Sequence, residues 1–225
     1  MLKLRNLKPL AVGSTRAIYQ HPHANNLLIK VIRFAGVKKR WRRMSFIKMR
    51  RRAGYYHVYF SEIKEYIAIK AKYAKHPPWL QRIDGFIDTD RGLGMVVEKL
   101  KNRKGKLAQN LKYIITENGL SPQIRKQLDR FIQSIRRYED VVISDLNLRN
   151  ILYTYDPKIG DRLVLVDGLG EKLVFPLHSM FGFLNRRNTR EHIRRLDTYV
   201  DQAVSRHKLK VQKMQKARKV RKART

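Results

Sequence analysis

The chain has 225 residues, 43% of them hydrophobic, which is enough for one domain with a sizeable core and excludes wholesale disorder. Its 51 Lys and Arg residues against 18 Asp and Glu residues leave a net charge of +33. Such a charge attracts polyanions: nucleic acid, an anionic membrane surface or a phosphorylated glycolipid. Cysteine is absent, which excludes disulfides and cysteine-ligated metals.

The N-terminal half predicts a set of strands with a single helix. Turn residues interrupt short apolar runs, and a longer helical segment ends at His76-Pro77-Pro78. The predicted elements in chain order are a hairpin over 4–19 that turns at 13–15, a buried strand over 27–32, a helix over 55–75, and strands over 83–87 and 95–100.

The C-terminal half predicts mainly helix with one hairpin. Ser121-Pro122 opens a helix, with serine as the cap and proline at the first position. Apolar residues then recur at helical spacing, and strands over 150–153 and 163–166 follow, before further helix from 176 to about 206. Together the halves predict an α+β fold with two lobes.

The hairpin carries the most informative residues of the chain. Asp145 precedes its first strand, Asn150 stands where that strand begins, and Asp167 ends the second strand. Phosphoryl-transfer enzymes of the protein-kinase type use this order, with an aspartate that orients the acceptor hydroxyl and two magnesium ligands. We therefore predict Asp145 as a catalytic residue and Asn150 and Asp167 as ligands of Mg²⁺, a hard cation that prefers oxygen.

Lys30 lies within the otherwise apolar strand over 27–32. A strand lysine usually points to solvent, but the residues downstream favour a lysine that contacts nucleotide phosphates and pairs with a helix carboxylate. Glu62 and Glu65 are the acids of the predicted helix. Glu62 shares a face with apolar residues and is the preferred partner, with Glu65 in reserve and an exposed ion pair as the alternative.

Two further segments are candidate parts of an ATP site. The turn Gly13-Ser14-Thr15 has one glycine, so it is a weak phosphate cradle and is equally typical of an ordinary hairpin; Arg16 after it could add positive charge. Residues 98–101 leave the strand-rich half and would form a hinge. There the backbone of Glu98 and Leu100 could bind an adenine edge.

Two basic segments stand apart from this site. Residues 38–52 contain nine Lys or Arg among fifteen residues, interleaved with Trp, Phe, Ile and Met, a composition that fits an anionic membrane interface or nucleic acid. Residues 206–225 carry ten Lys or Arg and no acid, with apolar residues every third position, which predicts a disordered electrostatic arm. No apolar run reaches the roughly 20 residues that span a bilayer. We expect a cytoplasmic protein, soluble or peripheral to the inner membrane.

Short motifs, in order over about residues 5–200, resemble the PhoP regulatory network protein YrbL family. The motifs are Tyr19-x-His21-Pro22, Asp84-Gly85-x-x-Asp88-Thr89, Asn150-Ile151-Leu152 and Asp167-Gly168-Leu169-Gly170-Glu171. That family is placed in the protein-kinase-like superfamily. The resemblance implies a compact kinase-like fold over 1–205, with an N-lobe over about 1–98, an insertion over 33–52 and a reduced helical C-lobe over about 102–205.

Carried over residue by residue, the resemblance implies the same roles for Lys30, Glu62, Asp145, Asn150 and Asp167. The chain departs from kinases in three places, which argue against protein substrates. Ile143-Ser144 replaces His-Arg before the aspartate, Asn147 replaces a lysine, and Gly168 replaces the Phe of Asp-Phe-Gly.

The expected function is binding of ATP and Mg²⁺ with phosphoryl transfer to a hydroxyl of an anionic or membrane-associated acceptor. A lipopolysaccharide-core sugar is the sharpest example, by analogy of fold. Two alternatives remain. One is a pseudokinase that acts as a regulatory binding protein, and the other is a nucleic-acid-binding protein that uses residues 38–52 and 206–224.

Overall fold

The fold joins an antiparallel sheet to a mainly helical part, as predicted. A computed structural model describes residues 1–41, 54–170 and 180–222. The strands are β1 (Ala11–Val12), β2 (Arg16–Gln20), β3 (Leu27–Ile32), β4 (Ile83–Thr89), β5 (Gly92–Glu98), β6 (Gln109–Asn110), β7 (Ile151–Asp156) and β8 (Gly160–Leu165). The helices are α1 (Phe34–Trp41), α2 (His57–Lys72), α3 (Leu111–Asn118), α4 (Pro122–Arg137) and α5 (Gly182–Lys222), with a 3₁₀ turn over Gly54–Tyr56 before α2.

The first five strands form one sheet in the order β1-β2-β3-β5-β4, with all neighbours antiparallel. β3 is its central strand and is buried on both faces, which explains its nearly continuous apolar sequence. Ile29 and Val31 pack into one cluster, and Leu28 and Ile32 into another. Because side chains alternate along a strand, Lys30 shares the face of Leu28 and Ile32, the face on which α2 packs.

The second part packs helices around the sheet β6-β7-β8. α4 begins as predicted, since the hydroxyl of Ser121 accepts a hydrogen bond from the Ile124 amide at 3.3 Å and Pro122 occupies the first position. Five apolar residues of α4 recur at helical spacing; Ile124, Leu128, Phe131 and Ile135 are buried and Ile132 is partly buried.

α5 differs from the sequence expectation, because it continues through 206–222, where the basic composition predicted a disordered arm. The earlier part of α5 packs on the core through Leu196 and Val200, so the helix is already nucleated when the basic segment begins. His207 Nδ1 lies 3.1 Å from the Thr116 carbonyl, and Lys210 pairs with Glu117. These contacts hold the first residues of the segment against α3, and its Lys, Arg and Ala residues favour helix beyond them.

Only residues 38–41 of the basic stretch 38–52 lie within the described residues, at the end of α1. Contact of that stretch with a membrane or nucleic acid therefore stays a prediction. Across the described ranges, the chain contains no helix that is both long and apolar enough to cross a membrane.

Candidate active site

The β7-β8 hairpin sets the position of the two predicted magnesium ligands. Ile151 pairs with Leu165, so Asn150 and Val166 extend the ladder by one position, and the Val166 amide donates to the Asn150 carbonyl at 2.9 Å. Asp167 is the next residue, and its Oδ1 accepts a hydrogen bond from the Gly168 amide at 2.7 Å. The strand register thus brings the amide of Asn150 and the carboxylate of Asp167 to one end of the hairpin.

Lys30 reaches the same point from the first sheet. Its Nζ donates to the Val166 carbonyl at 2.6 Å and lies 3.6 Å from Oε1 of Glu62. Lys30 is 4% exposed and Glu62 5%, which rules out both the solvent-facing lysine and the exposed ion pair that the sequence left open. Glu65, the reserve partner, instead accepts a hydrogen bond from the Val142 amide at 2.8 Å.

Arg16 is a second cation on Glu62, and the sequence did not reveal this contact. Its Nη2 lies 2.6 Å from Oε2 of Glu62 and 3.6 Å from Oδ1 of Asp167. Its guanidinium also stacks on the Tyr59 ring at 5.6 Å, and the Tyr59 hydroxyl donates to the Lys30 carbonyl at 2.5 Å. Two buried nitrogens of Arg16, Nε and Nη1, have no hydrogen-bond partner among the described residues.

Lys30 and Arg16 are two buried cations that share the Glu62 carboxylate, and Arg16 also lies beside Asp167. Burial lowers the pKa of Lys30, Glu62 opposes this, and the positive charge of Arg16 adds to it. Burial alone would also lower the pKa of Arg16, but Glu62 and Asp167 outweigh it and raise that pKa. A bound anion would interact favourably with both cations.

The loop before β7 orients Asp145. Asn147 Nδ2 donates to the Asp145 carboxylate at 2.8 Å, and Asn150 Nδ2 donates to the Asp145 carbonyl at 3.2 Å. The amides of Ser144 and Asp145 both donate to the Gly168 carbonyl, at 2.8 and 3.2 Å. These bonds connect the predicted catalytic aspartate to Asn150 and to Gly168, the residue after Asp167. They also give Asn147 and Gly168, two departures from kinases, a defined structural role.

One cleft of about 860 Å³ gathers most of the predicted residues. Its lining includes the turn and cation residues Gly13, Ser14, Thr15, Arg16 and Lys30, and the loop and hairpin residues Asp145, Asn147, Arg149, Asn150 and Asp167. Glu62 lies behind this lining, in contact with Lys30 and Arg16. Residues from five segments of the chain (11–18, 30, 110–117, 145–150 and 166–167) therefore face one space of the size that holds a small-molecule ligand.

The predicted hinge residues lie away from this lining. The Glu98 carbonyl accepts a hydrogen bond from Gln81 at 2.8 Å, and its amide donates to the Arg82 carbonyl at 3.1 Å. The Leu100 carbonyl accepts from the Ala108 amide at 3.0 Å. Protein partners thus already engage these backbone groups, and adenine binding at Glu98 and Leu100 stays a prediction.

The donor set fits magnesium better than a metal held by protein alone. Among the described residues, no group of three His, Asp or Glu side chains could hold a metal ion. Mg²⁺ usually keeps several waters and binds one or two protein oxygens together with phosphates. The Asn150 amide oxygen and the Asp167 carboxylate would supply those protein oxygens. Arg16 and Lys30 line the cleft and have the positive charge that the phosphates of ATP would need.

Sequence reasoning missed three cations that converge near Asp145. Lys112 is in the first turn of α3, Arg149 lies in the Asp145 loop, and Arg206 lies on α5. They come from distant parts of a chain with 51 Lys and Arg residues. No spacing rule distinguishes them, so only the tertiary structure could reveal the cluster.

The sheet, helix and hairpin arrangement is a protein-kinase-like fold, and the solved structure of Rad53 shares it. Rad53 in complex with AMP-PNP aligns with a TM-score of 0.51 and 14% identity over 86% of this chain and 46% of that chain. The PknI kinase domain of Mycobacterium tuberculosis aligns with a TM-score of 0.40 and 14% identity over 72% of this chain and 56% of that chain. This chain therefore spans about half the length of those structures.

The sequence comparison identifies the family within that fold. The family model of the PhoP regulatory network protein YrbL matches residues 2–201, so the chain belongs to this family and the resemblance is confirmed. No curated protein matches the sequence.

Proposed function

We propose that the protein binds Mg-ATP in the cleft and transfers a phosphoryl group to a hydroxyl of an anionic acceptor. The observation that carries this proposal is the convergence of Lys30, Asp145, Asn150 and Asp167 on one cleft. Lys30 comes from a strand of the first sheet and Asp145 from a loop, while Asn150 precedes the first strand of the hairpin and Asp167 follows its second strand. A purely structural role would not require four polar residues of these types around one space, in the order that phosphoryl transfer uses.

Each residue has a role that follows from its position. Lys30 and Arg16 would hold the phosphates, and Glu62 fixes both cations from behind. Asn150 and Asp167 would hold magnesium, which supplies positive charge against the charge that develops on the transferring group. The side-chain amide of Asn147 donates a hydrogen bond to the Asp145 carboxylate and so orients it in the cleft.

Asp145 would accept the proton of the acceptor hydroxyl. The hydroxyl oxygen then forms its bond to the terminal phosphorus of ATP while the bond to the ADP oxygen breaks. Such transfer depends on positioning and charge stabilisation more than on covalent chemistry by the protein. The fixed network around Asp145 is suited to this, because it leaves the carboxylate little freedom to rotate.

Calorimetric titration of Mg-ATP tests the proposal. The full chain is used, because α5 contacts α3 through His207 and its removal would disturb the fold. Salt of about 0.15 M limits nonspecific attraction of ATP to the net positive charge. We expect saturable binding that requires magnesium and falls at least about tenfold in Asp167→Asn, which removes a ligand charge.

Asp129→Asn is the matched control, since Asp129 is an exposed residue of α4 that pairs with Arg125. It makes the same chemical change far from the cleft and should leave binding unchanged. Equal binding by wild type, Asp129→Asn and Asp167→Asn, or no saturable binding at all, would contradict the proposed site.

A second candidate function is a kinase-like regulator that does not transfer phosphate. One observation favours it: Arg16 lies 2.6 Å from Glu62 and 3.6 Å from Asp167, so an internal cation is placed next to a predicted magnesium ligand. In that case wild type would bind Mg-ATP weakly or not at all, and Arg16→Met, which removes the cation next to Asp167, would bind it more tightly. The titration above, repeated on this variant, separates the two functions.

A further inference from the structure

A smaller cavity of about 290 Å³ opens beside the main cleft and shares its wall. Both spaces are lined by Lys112, Asp145, Asn147 and Arg149. The smaller cavity is closed on its other side by residues of α5 and by one loop residue: Leu148, Tyr199, Gln202, Ala203 and Arg206. Asp145 thus faces two compartments, and the second is where an acceptor hydroxyl could approach it from the side away from Lys30.

Two backbone and side-chain contacts build this cavity. The Lys112 amide donates to the Leu148 carbonyl at 3.1 Å, which fixes the start of α3 against the Asp145 loop. His207 contacts the Thr116 carbonyl at 3.1 Å and so holds α5, with Arg206 next to it, against the same helix. Three separate elements are therefore locked together around one space.

Three cations of this cavity form no ion pair with any residue that the structure describes. Within the described ranges, the side chains of Lys112, Arg149 and Arg206 make neither an ion pair nor a hydrogen bond. Some other cations of α5 are paired, such as Arg195 with Glu191 and Lys210 with Glu117. The three cations face only one lining carboxylate, that of Asp145.

The cations also disfavour one another. Burial lowers the pKa of Lys112, and the positive charges of Arg149 and Arg206 lower it further. The three positive charges repel one another in the free protein, whereas an anion bound among them would attract all three. Arg149 and Arg206 are exposed, so solvent screens part of this repulsion, and the shared cavity is the stronger indication of a ligand site.

The charge count indicates the class of ligand. Three cations minus one carboxylate leave two uncompensated positive charges in the lining. A phosphate monoester carries about −1.5 to −2 at neutral pH and offers three acceptor oxygens. Two guanidinium forks suit such oxygens, and a cavity near 300 Å³ is at the small end of ligand sites. The ring of Tyr199, 39% exposed, adds an apolar wall for the body of the ligand.

We propose that Lys112, Arg149 and Arg206 form the acceptor site, which binds a hydroxy compound that already carries a phosphate monoester, such as a phosphorylated sugar. The three cations hold that phosphate while a hydroxyl of the same molecule lies against Asp145. The assignment of the bound molecule as an acceptor rests on the proposed phosphoryl transfer. Binding of the anion itself does not.

Glucose 6-phosphate, with glucose as its uncharged counterpart, is the probe. Both are titrated into the full chain in about 0.15 M salt, with and without Mg-AMP-PNP, and binding is followed by ligand-detected NMR. We expect glucose 6-phosphate to bind at least about tenfold more tightly than glucose, since only it can pair with the cations.

Arg206→Gln is the decisive variant, because Arg206 lines the smaller cavity and not the main cleft. We expect it to lower the affinity for glucose 6-phosphate about fivefold to tenfold, while the affinity for Mg-ATP stays within about twofold of wild type. Arg206→Lys should partly restore the affinity for glucose 6-phosphate, because it keeps the positive charge. Arg194→Gln is the matched control. It removes the same charge from an exposed position of the same helix and should change neither affinity.

Equal weakening by Arg206→Gln and Arg194→Gln, or equal binding of glucose and glucose 6-phosphate, would overturn the proposal. Mg-ATP binding without Arg206-dependent phosphate binding would keep the nucleotide site and refute this one. Phosphate binding that depends on Arg206, without Mg-ATP binding, would keep the anion site and refute phosphoryl transfer.

The same phosphate could be carried by a soluble molecule or by a lipid. Phosphatidylcholine vesicles with phosphatidylinositol 4-phosphate present a monoester and hydroxyls on a membrane. If these vesicles displace glucose 6-phosphate from wild type and Arg194→Gln but not from Arg206→Gln, the site exists and its acceptor can be carried by a lipid. Binding of glucose 6-phosphate without such competition supports it with a soluble acceptor.

Discussion

The Nη2 atom of Arg16 lies 2.6 Å from Oε2 of Glu62, whereas Nζ of Lys30 lies 3.6 Å from Oε1 of the same carboxylate. The closer partner of the helix glutamate is thus an arginine from the strand that follows the Gly13 turn. Arg16 is also the group with unpaired buried nitrogens in the cleft wall. The charge of this arginine would attract an incoming phosphate, and its planar fork suits phosphate oxygens.

We expect Arg16→Met to weaken Mg-ATP binding about tenfold, because two guanidinium donors and a positive charge leave the cleft. Arg16→Lys should recover part of the loss, since it keeps the charge without the planar fork. Arg5→Met removes an exposed positive charge from the same lobe and should have no effect. Calorimetric titration measures all three. A gain in affinity in Arg16→Met would show that Arg16 obstructs the site.

Gly168 approaches the Asp145 loop so closely that a side chain cannot fit. Its φ is +95°, and a Cβ there would lie 2.3 Å from the Asp145 carbonyl oxygen. We expect Gly168→Ala to lower the free energy of unfolding by about 2–4 kcal/mol, from left-handed strain plus steric overlap. Urea denaturation measures the change.

Gly105→Ala is the control for that substitution. Gly105 also has a positive φ, +71°, but a Cβ at this position would meet nothing within 4 Å. Gly105→Ala should lower the free energy of unfolding by about 1–2 kcal/mol, the cost of placing a residue with a Cβ in the left-handed conformation. Equal losses in the two variants would mean that the contact between Gly168 and the Asp145 loop is not tight in solution.

Asp161 holds β8 to the segment before β6 and to α4. Its carboxylate accepts hydrogen bonds from Arg103 Nε and Nη2, at 2.9 and 2.8 Å, and from Gln123 Nε2 at 2.7 Å. The bonds from Arg103, opposed by burial, hold the pKa of Asp161 below its ordinary value of 3.8. Asp161→Asn should therefore lower the free energy of unfolding by about 1.5–3 kcal/mol at neutral pH.

The pH dependence has a definite sign. A carboxylate with a lowered pKa in the folded state stabilises the protein above its unfolded pKa, and this stabilisation disappears as the pH falls through the folded pKa. The difference between wild type and Asp161→Asn should shrink as the pH falls from the ordinary value of 3.8. Asp129→Asn removes one partner of an exposed ion pair and should change the free energy of unfolding by less than about 0.5 kcal/mol. A difference independent of pH would contradict the assignment.

The contact between α5 and α3 should protect the start of the basic segment from hydrogen exchange. We expect the amides of 206–210 to exchange at least about tenfold more slowly than in an unstructured peptide, because His207 and Lys210 hold them in a docked helix. His207→Ala with Lys210→Ala should remove that protection, whereas Lys208→Ala should not. Mass spectrometry of exchanged peptides measures the protection. Fast exchange in wild type would instead support the disordered arm that the composition predicted.

Much of the site was predictable, because its parts are local in the chain. Lys30 is recognisable as the one charge in an apolar strand, and Asn150 and Asp167 as the residues that flank a hairpin. A hairpin of known register brings its two ends together whatever the rest of the fold does. The choice of Glu62 over Glu65 also followed from a local property, the apolar character of its helix face.

The sequence by itself determined the α+β layout, the strand that carries Lys30 and the order of Asp145, Asn150 and Asp167, since periodicity and short-range connectivity are written along the chain. Only the tertiary structure decided that Arg16 shares Glu62 with Lys30, that α5 docks through 206–210, and that Lys112, Arg149 and Arg206 surround Asp145. Those relationships join residues far apart in sequence. Among so many similar cations, only three-dimensional packing selects which ones meet.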